Sequence, residues 1–353
     1  MKRFRNIALA LVVISFFLVV SVCTFYNINM AKVSNDNTLK EVTIKAGSIN
    51  SIANTLKENN LIKNITIFKV YTRLTNKTNL KAGTYNFSED MGVKKIVSLL
   101  EEGKTNENNI TFKEGINVIA KLISKKTNNS YDSIITIMND NNYIDELISK
   151  YWFLTNDIKN KNIYYPLEGY LFPDTYNVMK DTDIKDIITK MLDETDNKLS
   201  KYKDSITNNK LSIHEIITLA SVVELEVANK DDRKSVAGIF LNRLDSKYFP
   251  TLGSDATSYY GAKIDDWSTN RLTSVELNDC SNKYNTRCAY NKGLPVGPIG
   301  NPSIESIEAV LNPEKHNYYY FVNDCKGKLY MSKNETEHNN IINKLKKENN
   351  WCA

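Results

Sequence analysis

Three glutamates in the segment Ile213–Asn229 have the spacing to do acid–base chemistry. Ile216, Ala220, Val223 and Val227 recur at helical intervals and form one apolar stripe. On an ideal helix Glu224 falls on the edge of that stripe, about 40–60° from its centre, with Glu226 near the opposite edge and Glu215 beside Glu226. A carboxyl bordering a buried stripe loses hydration, which raises its pKa and keeps it protonated near neutral pH. That is the state a general acid needs to protonate a leaving alcohol. The same spacing also suits a boundary glutamate held in a salt bridge, and spacing alone does not choose.

The next helix begins at Asp231 and Asp232, acids that suit a helix N-terminus. It continues through Val236, Ile239, Phe240 and Leu244, with Asn242 and Arg243 near its end. It leads into Phe249–Gly261, a loop dense in hydroxyls that also carries Asp255, Tyr259 and Tyr260. Such a loop suits sugars, because amides and hydroxyls match sugar hydroxyls and aromatic faces stack on pyranose rings. It also reads as a turn-rich connector. His214, His316 and His338 are far apart, and no C-x-x-C occurs, so neither a metal nor a cofactor is expected.

Upstream, Lys2, Arg3 and Arg5 precede an uncharged apolar run from Ile7 to Tyr26. Its length matches a hydrocarbon core of roughly 30 Å, and the leading basic cluster predicts a cytoplasmic N-terminus. A cleaved signal peptide or a lipid-modified Cys23 fits less well, since Ser21-Val22-Cys23 is a poor site for either. The expected organisation is a cytoplasmic tail over 1–6, a transmembrane helix over 7–26 and a linker over 27–40. A small α+β module follows over 41–160, then a larger mixed α+β domain over 161–353. In the module a strand–turn–helix unit occurs twice, at Glu41–Gly47 and at Ile110–Gly115. The net charge of +5 is spread along the chain rather than clustered, which argues against nucleic acid as a partner. Cys280, Cys288, Cys325 and Cys352 lie near the C-terminus. Outside the cytoplasm they allow three pairings, of which Cys280–Cys288 with Cys325–Cys352 is the guess preferred here, against unpaired thiols.

Several motifs together carry a family resemblance. Leu219-Ala-Ser-Val-Val-Glu224-Leu-Glu226 and Val236–Leu244 resemble the core of the MltG-type (YceG-like) endolytic murein transglycosylases. Leu167-Glu168-Gly-Tyr-Leu-Phe-Pro-Asp-Thr-Tyr176, Tyr284-Asn285-Thr286, Gly293–Ile299 with Asn301-Pro302, and Glu337-His338-Asn339 are similar to other signatures of that family. The module before the catalytic domain resembles its LysM-like module. The resemblance implies a membrane-anchored lyase that cuts peptidoglycan between N-acetylmuramic acid and N-acetylglucosamine without water, leaving 1,6-anhydro ends and limiting strand length. It implies a body on the outer side of the cell membrane, with cell-wall synthases as candidate partners. One glutamate then serves as acid and afterwards as base, where ordinary glycosidases use two carboxyls. The matching position is taken here as Glu224, with Glu168, Tyr176, Glu226, Asp255, Tyr284 and Asn285 expected to line the cleft. The chain departs from the pattern at Leu225 (usually Lys), at Ala256 and Ser258 within the usual Asp-Pro-Thr-Val, and at Asn334 (usually Thr). The competing readings are a hydrolytic muramidase, using Asp255 or Glu226 to activate water, and a non-catalytic peptidoglycan-binding scaffold.

Overall fold

A computed structural model describes all residues except 1, 104, 106–108, 113–114, 228, 250, 268 and 353, and for residues 2–12 describes the backbone alone. The side chains of Lys2, Arg3 and Arg5 therefore lie outside the described residues. The architecture is mixed α+β, in two compact units.

The first unit comprises residues 1–110 with 177–180. It contains α1 (Lys2–Met30), β1 (Lys40–Ile44), α2 (Ile49–Glu58), α3 (Ile65–Leu74), β2 (Gly83–Phe87) and α4 (Val93–Glu102). Val13–Met30 of α1 is long and apolar enough to cross a membrane, with mean hydropathy 1.8 and 6% of it buried. The helix outruns the expected span, and Met30 packs in the same core as Ile52, Leu56 and Phe68. The segment after it is not a free tether either. The Val33 amide donates to the Glu89 carbonyl at 2.9 Å, and the Asp90 amide donates to the Asp36 carbonyl at 3.0 Å. β1 and β2 pair antiparallel from Lys40↔Phe87 to Ile44↔Gly83. This register puts Val42 and Ile44 on the buried face with Tyr85 and Phe87, the alternation of a half-buried strand.

The second unit comprises residues 111–176 with 181–353. β3 (Asn109–Thr111) lies where the chain passes into it, followed by α5 (Ile116–Lys126), α6 (Tyr131–Met138), α7 (Asn141–Lys150), β4 (Thr175–Asn177), α8 (Ile184–Leu199) and α9 (Lys203–Thr207). Then come α10 (Ile213–Glu226), α11 (Arg233–Asp245), α12 (Asp255–Gly261), α13 (Ser274–Leu277), α14 (Ile304–Leu311), β5 (Tyr320–Asn323), β6 (Leu329–Ser332) and α15 (Glu335–Lys347). The compact units thus divide near residue 110, whereas the sequence placed a boundary near 160. The reason is burial: α5 sinks Ile116, Ile119, Ala120 and Ile123 and packs on α6, which packs on α8. The two strand–turn–helix repeats therefore belong to different units.

Helix α10 is the axis of the second unit, packed against α11, α12 and α14. Its buried residues include Ile216, Ile217, Leu219, Val222 and Val223, more than the single stripe expected, so it is wrapped nearly all round. Antiparallel β5 and β6 pack against α15. Disulfides join Cys280 to Cys288 and Cys325 to Cys352, the pairing preferred from the sequence. The second closes a separation of 27 residues. Replacing both Cys325 and Cys352 by Ser is expected to lower stability by about 2–4 kcal/mol. Denaturant midpoints of the oxidised proteins measure this, and equal midpoints would rule it out.

Candidate active site

The first turn of α10 is fixed by a capping box. The Ser212 hydroxyl accepts from the Glu215 amide at 3.2 Å, and the Glu215 carboxylate accepts from the Ser212 amide at 2.8 Å. This anchors Glu215 at the far end of the helix. In the last turn Glu224 and Glu226 lie about 200° apart on the helix, so they face different surroundings.

Glu224 is held by four donors. Arg233 at the start of α11 donates to Oε1 at 2.8 Å, and the Ser303 amide (3.0 Å), the Ser303 hydroxyl and the Ser306 hydroxyl (2.8 Å) donate to Oε2. Arg233 is 6% exposed in its side chain and Glu224 25%. Ser303 is the N-cap of α14, so the carboxylate also sits at the positive end of that helix. These contacts join α10, α11 and α14 at one point. A clamped carboxylate, rather than a loosely held edge residue, occupies this position.

Glu226 faces a polar cavity of about 470 Å³. Its Oε1 accepts from the Ser254 hydroxyl. Burial raises the Glu226 pKa, while the Ser254 hydrogen bond, the Ala256 backbone and, more weakly, Arg243 oppose the shift. The Arg243 guanidinium donates to the carbonyls of Tyr319 (2.7 Å) and Leu252 and lies over the rings of Phe240, Phe249 and Tyr320. Asp255 lines the same cavity and is paired with Arg287. His338 and Asn339 complete one wall, and the buried His338 Nδ1 has no hydrogen-bond partner among the described residues.

The segment 284–286 supports this cavity from behind. Thr286 Oγ1 accepts from the Ser254 amide at 3.0 Å, and the Thr286 carbonyl accepts from the Gly253 amide at 3.0 Å. The buried Asn285 donates to the carbonyls of Glu276, Leu277 and Asp279 and accepts from the Ser258 hydroxyl at 2.9 Å. Ser258, one of the departures noted above, is thus tied into this network. Ala256, another of those departures, is buried in the first turn of α12.

Glu168 lies in a second cavity, of about 510 Å³, which Glu224 also borders. The residue is 1% exposed, and its carboxyl accepts from the Tyr260 hydroxyl at 2.9 Å and the Ile116 amide at 3.1 Å. Burial pushes its pKa up to about 7, against the pull of the Tyr260 and Ile116 hydrogen bonds. Gly169 beside it adopts φ +88, and a Cβ there would meet Pro298 at 2.5 Å, so only glycine fits. Tyr284 packs its ring on Tyr164 and Tyr260 at 4.8 Å from each. Tyr176 donates to the Phe172 carbonyl at 2.8 Å and lines neither cavity.

The expected site residues therefore part company. Glu226 and Asp255 share one cavity, Glu168 and Glu224 border the other, Tyr284 and Asn285 act as supports, and Tyr176 is internal. Sequence reasoning missed Arg233, Ser254, Ser303 and Ser306. Arg233 did leave a signal: a cation in the first turn of a helix opposes the macrodipole and calls for an anionic partner.

The YceG-like family model matches residues 42–344. An endolytic murein transglycosylase of Bacillus subtilis is 36% identical over 312 residues, covering 86% of this chain and 84% of that protein. Its counterpart from Streptococcus pneumoniae serotype 2 is 32% identical over 326 residues, which cover 87% of this chain but 58% of that longer protein. A crystal structure of a YceG-like protein from Listeria monocytogenes matches with a TM-score of 0.60 at 37% identity, covering 86% of this chain and 99% of that one. The chain belongs to the YceG-like family.

Proposed function

We propose that this protein is an endolytic murein transglycosylase of the cell envelope, with Glu226, rather than Glu224, as its acid and base. The names of the relatives support the activity. The observation that carries the residue assignment is the contrast between the two carboxyls. Four donors, one of them a buried guanidinium, occupy Glu224, whereas among the described residues Glu226 meets only the Ser254 hydroxyl and the Ala256 backbone, in a setting where burial raises its pKa. Burial also raises the Glu168 pKa, to about 7, but at 1% exposure this residue presents almost no surface to a glycosidic oxygen. Four of the recognised motifs, those containing Glu226, Asp255, Thr286 and His338, converge around Glu226.

In this mechanism Glu226 gives its proton to the glycosidic oxygen as the C1–O4 bond of the muramoyl residue breaks. The carboxylate so formed takes the proton of the muramoyl 6-hydroxyl while O6 bonds to C1. The proton returns to Glu226, no water is consumed, and the product is a 1,6-anhydro end. Arg243, fixed by two carbonyls, steadies the carboxylate between the two steps. Asp255, which a hydrolytic route would use to activate water, is instead engaged by Arg287.

The apolar α1 anchors the protein in the membrane, and the basic Lys2, Arg3 and Arg5 with the two disulfides support an outward-facing body. The order β1-α2-α3-β2, with the outer strands paired, supports the LysM-like reading of the first unit. On this reading cell-wall synthases are its neighbours and strand length is what it limits. Digestion of uncrosslinked glycan by the detergent-solubilised full chain, followed by mass spectrometry of the ends, tests the activity. Internal cuts with 1,6-anhydro ends are expected. Reducing ends would mean hydrolysis, and uncut strands would mean a scaffold.

A further inference from the structure

The cavity that holds Glu168 has no part in the chemistry just described, yet it is built as a binding site. Its walls are Tyr131, Tyr164, Tyr165, Tyr260 and Trp267, and its volume of about 510 Å³ lies within the range of small-ligand sites. The rings are held in place. Tyr164 donates to the Gly261 carbonyl at 2.8 Å, Tyr131 donates to Asn117 at 2.7 Å, and Trp267 stacks on Tyr259 at 5.0 Å.

The charged groups at its rim have partners that fix their positions. Asp265 accepts from Asn117 at 2.6 Å and Lys121 at 2.9 Å, and Lys263 lies over the Tyr164 ring at 4.5 Å. A neutral pyranose offers C–H faces to the rings and hydroxyls to the polar edge. The cavity also adjoins the reaction centre. Glu224 and Leu225 border it, Glu226 borders the other cavity, and Leu225 between them is 42% exposed. The two cavities thus flank the last turn of one helix, whose width with side chains is about 10–12 Å.

We propose that the aromatic cavity is a remote saccharide subsite, which holds N-acetylated pyranose units of the same strand that Glu226 cuts while the strand crosses the helix end over Leu225. This rests on the assignment of the Glu226 cavity as the reaction centre. Occupation of both cavities requires glycan beyond the scissile bond, which favours internal cuts over trimming of the ends.

The test uses the full chain in detergent, with chitohexaose as the probe. With Glu226→Gln, binding of the hexamer by calorimetry is expected to weaken at least tenfold on adding Trp267→Ala or, separately, Asn117→Ala. With Glu226 intact, the same changes should raise KM on long strands about tenfold and leave kcat unchanged. Thermal melts identify any variant that has failed to fold, and the other then decides. Unchanged binding and KM in a folded variant would overturn the subsite. If Glu226→Gln still cuts strands, the reaction-centre assignment fails instead, and the two failures are told apart by that control.

Discussion

Glu226→Gln is expected to reduce formation of 1,6-anhydro ends by roughly 10²–10⁴-fold, the usual worth of a positioned acid–base group. Its melting temperature should hold or rise, because the neutral amide removes a carboxyl that burial disfavours in its charged form. Glu224→Gln should behave in the opposite way. It leaves the 6%-exposed Arg233 without its anion and turns one of the two acceptor oxygens, facing either Arg233 or the Ser303 and Ser306 donors, into an NH2 group. Loss of one partner of a buried pair costs about 3–5 kcal/mol. Glu224 is 25% exposed, so a loss of about 1–3 kcal/mol is expected here. Turnover per folded molecule should stay within about tenfold of the parent, well short of the loss set by removing the acid. End-group analysis and thermal melts on both variants decide the matter, and full activity in Glu226→Gln with none in a folded Glu224→Gln would reverse the roles.

Glu168→Gln is expected to flatten much of the pH dependence of stability. In the folded protein this carboxyl keeps its proton up to about 7, against an ordinary 4.5. Between those values the folded state binds more protons than the unfolded chain, so stability falls as pH rises. The contribution is fully present below 4.5 and lost as pH passes about 7. At about 1.4 kcal/mol per pH unit the loss amounts to a few kcal/mol. Glutamine fits the same pocket without ionising, so the variant should gain over the parent at pH 8 and match it at pH 4. Denaturant titrations across that range read the difference, and a gap independent of pH would show that Glu168 is ionised in the folded state.

Helix α10 was legible because its signal is local: its apolar residues keep helical spacing. The two C-terminal disulfides were legible as a preferred pairing among alternatives. The roles of Glu224 and Glu226 were not. Both lie on edges of one stripe, and what separates them comes from Ser303 and Ser306, about 80 residues later, and from Ser254. Periodicity has no access to such partners. The division near residue 110 was hidden for a similar reason. The repeat at Ile110–Gly115 imitates the first one locally, while the buried face of α5 packs on α6, itself packed on α8.

Met30 offers a last consequence. A long α1 that ends inside the core of the first unit leaves no slack between bilayer and fold. If α1 lies in a membrane as proposed, the first unit is carried directly on the end of that helix rather than on a free tether. The height of that unit above the lipid then follows from helix length rather than from tether length.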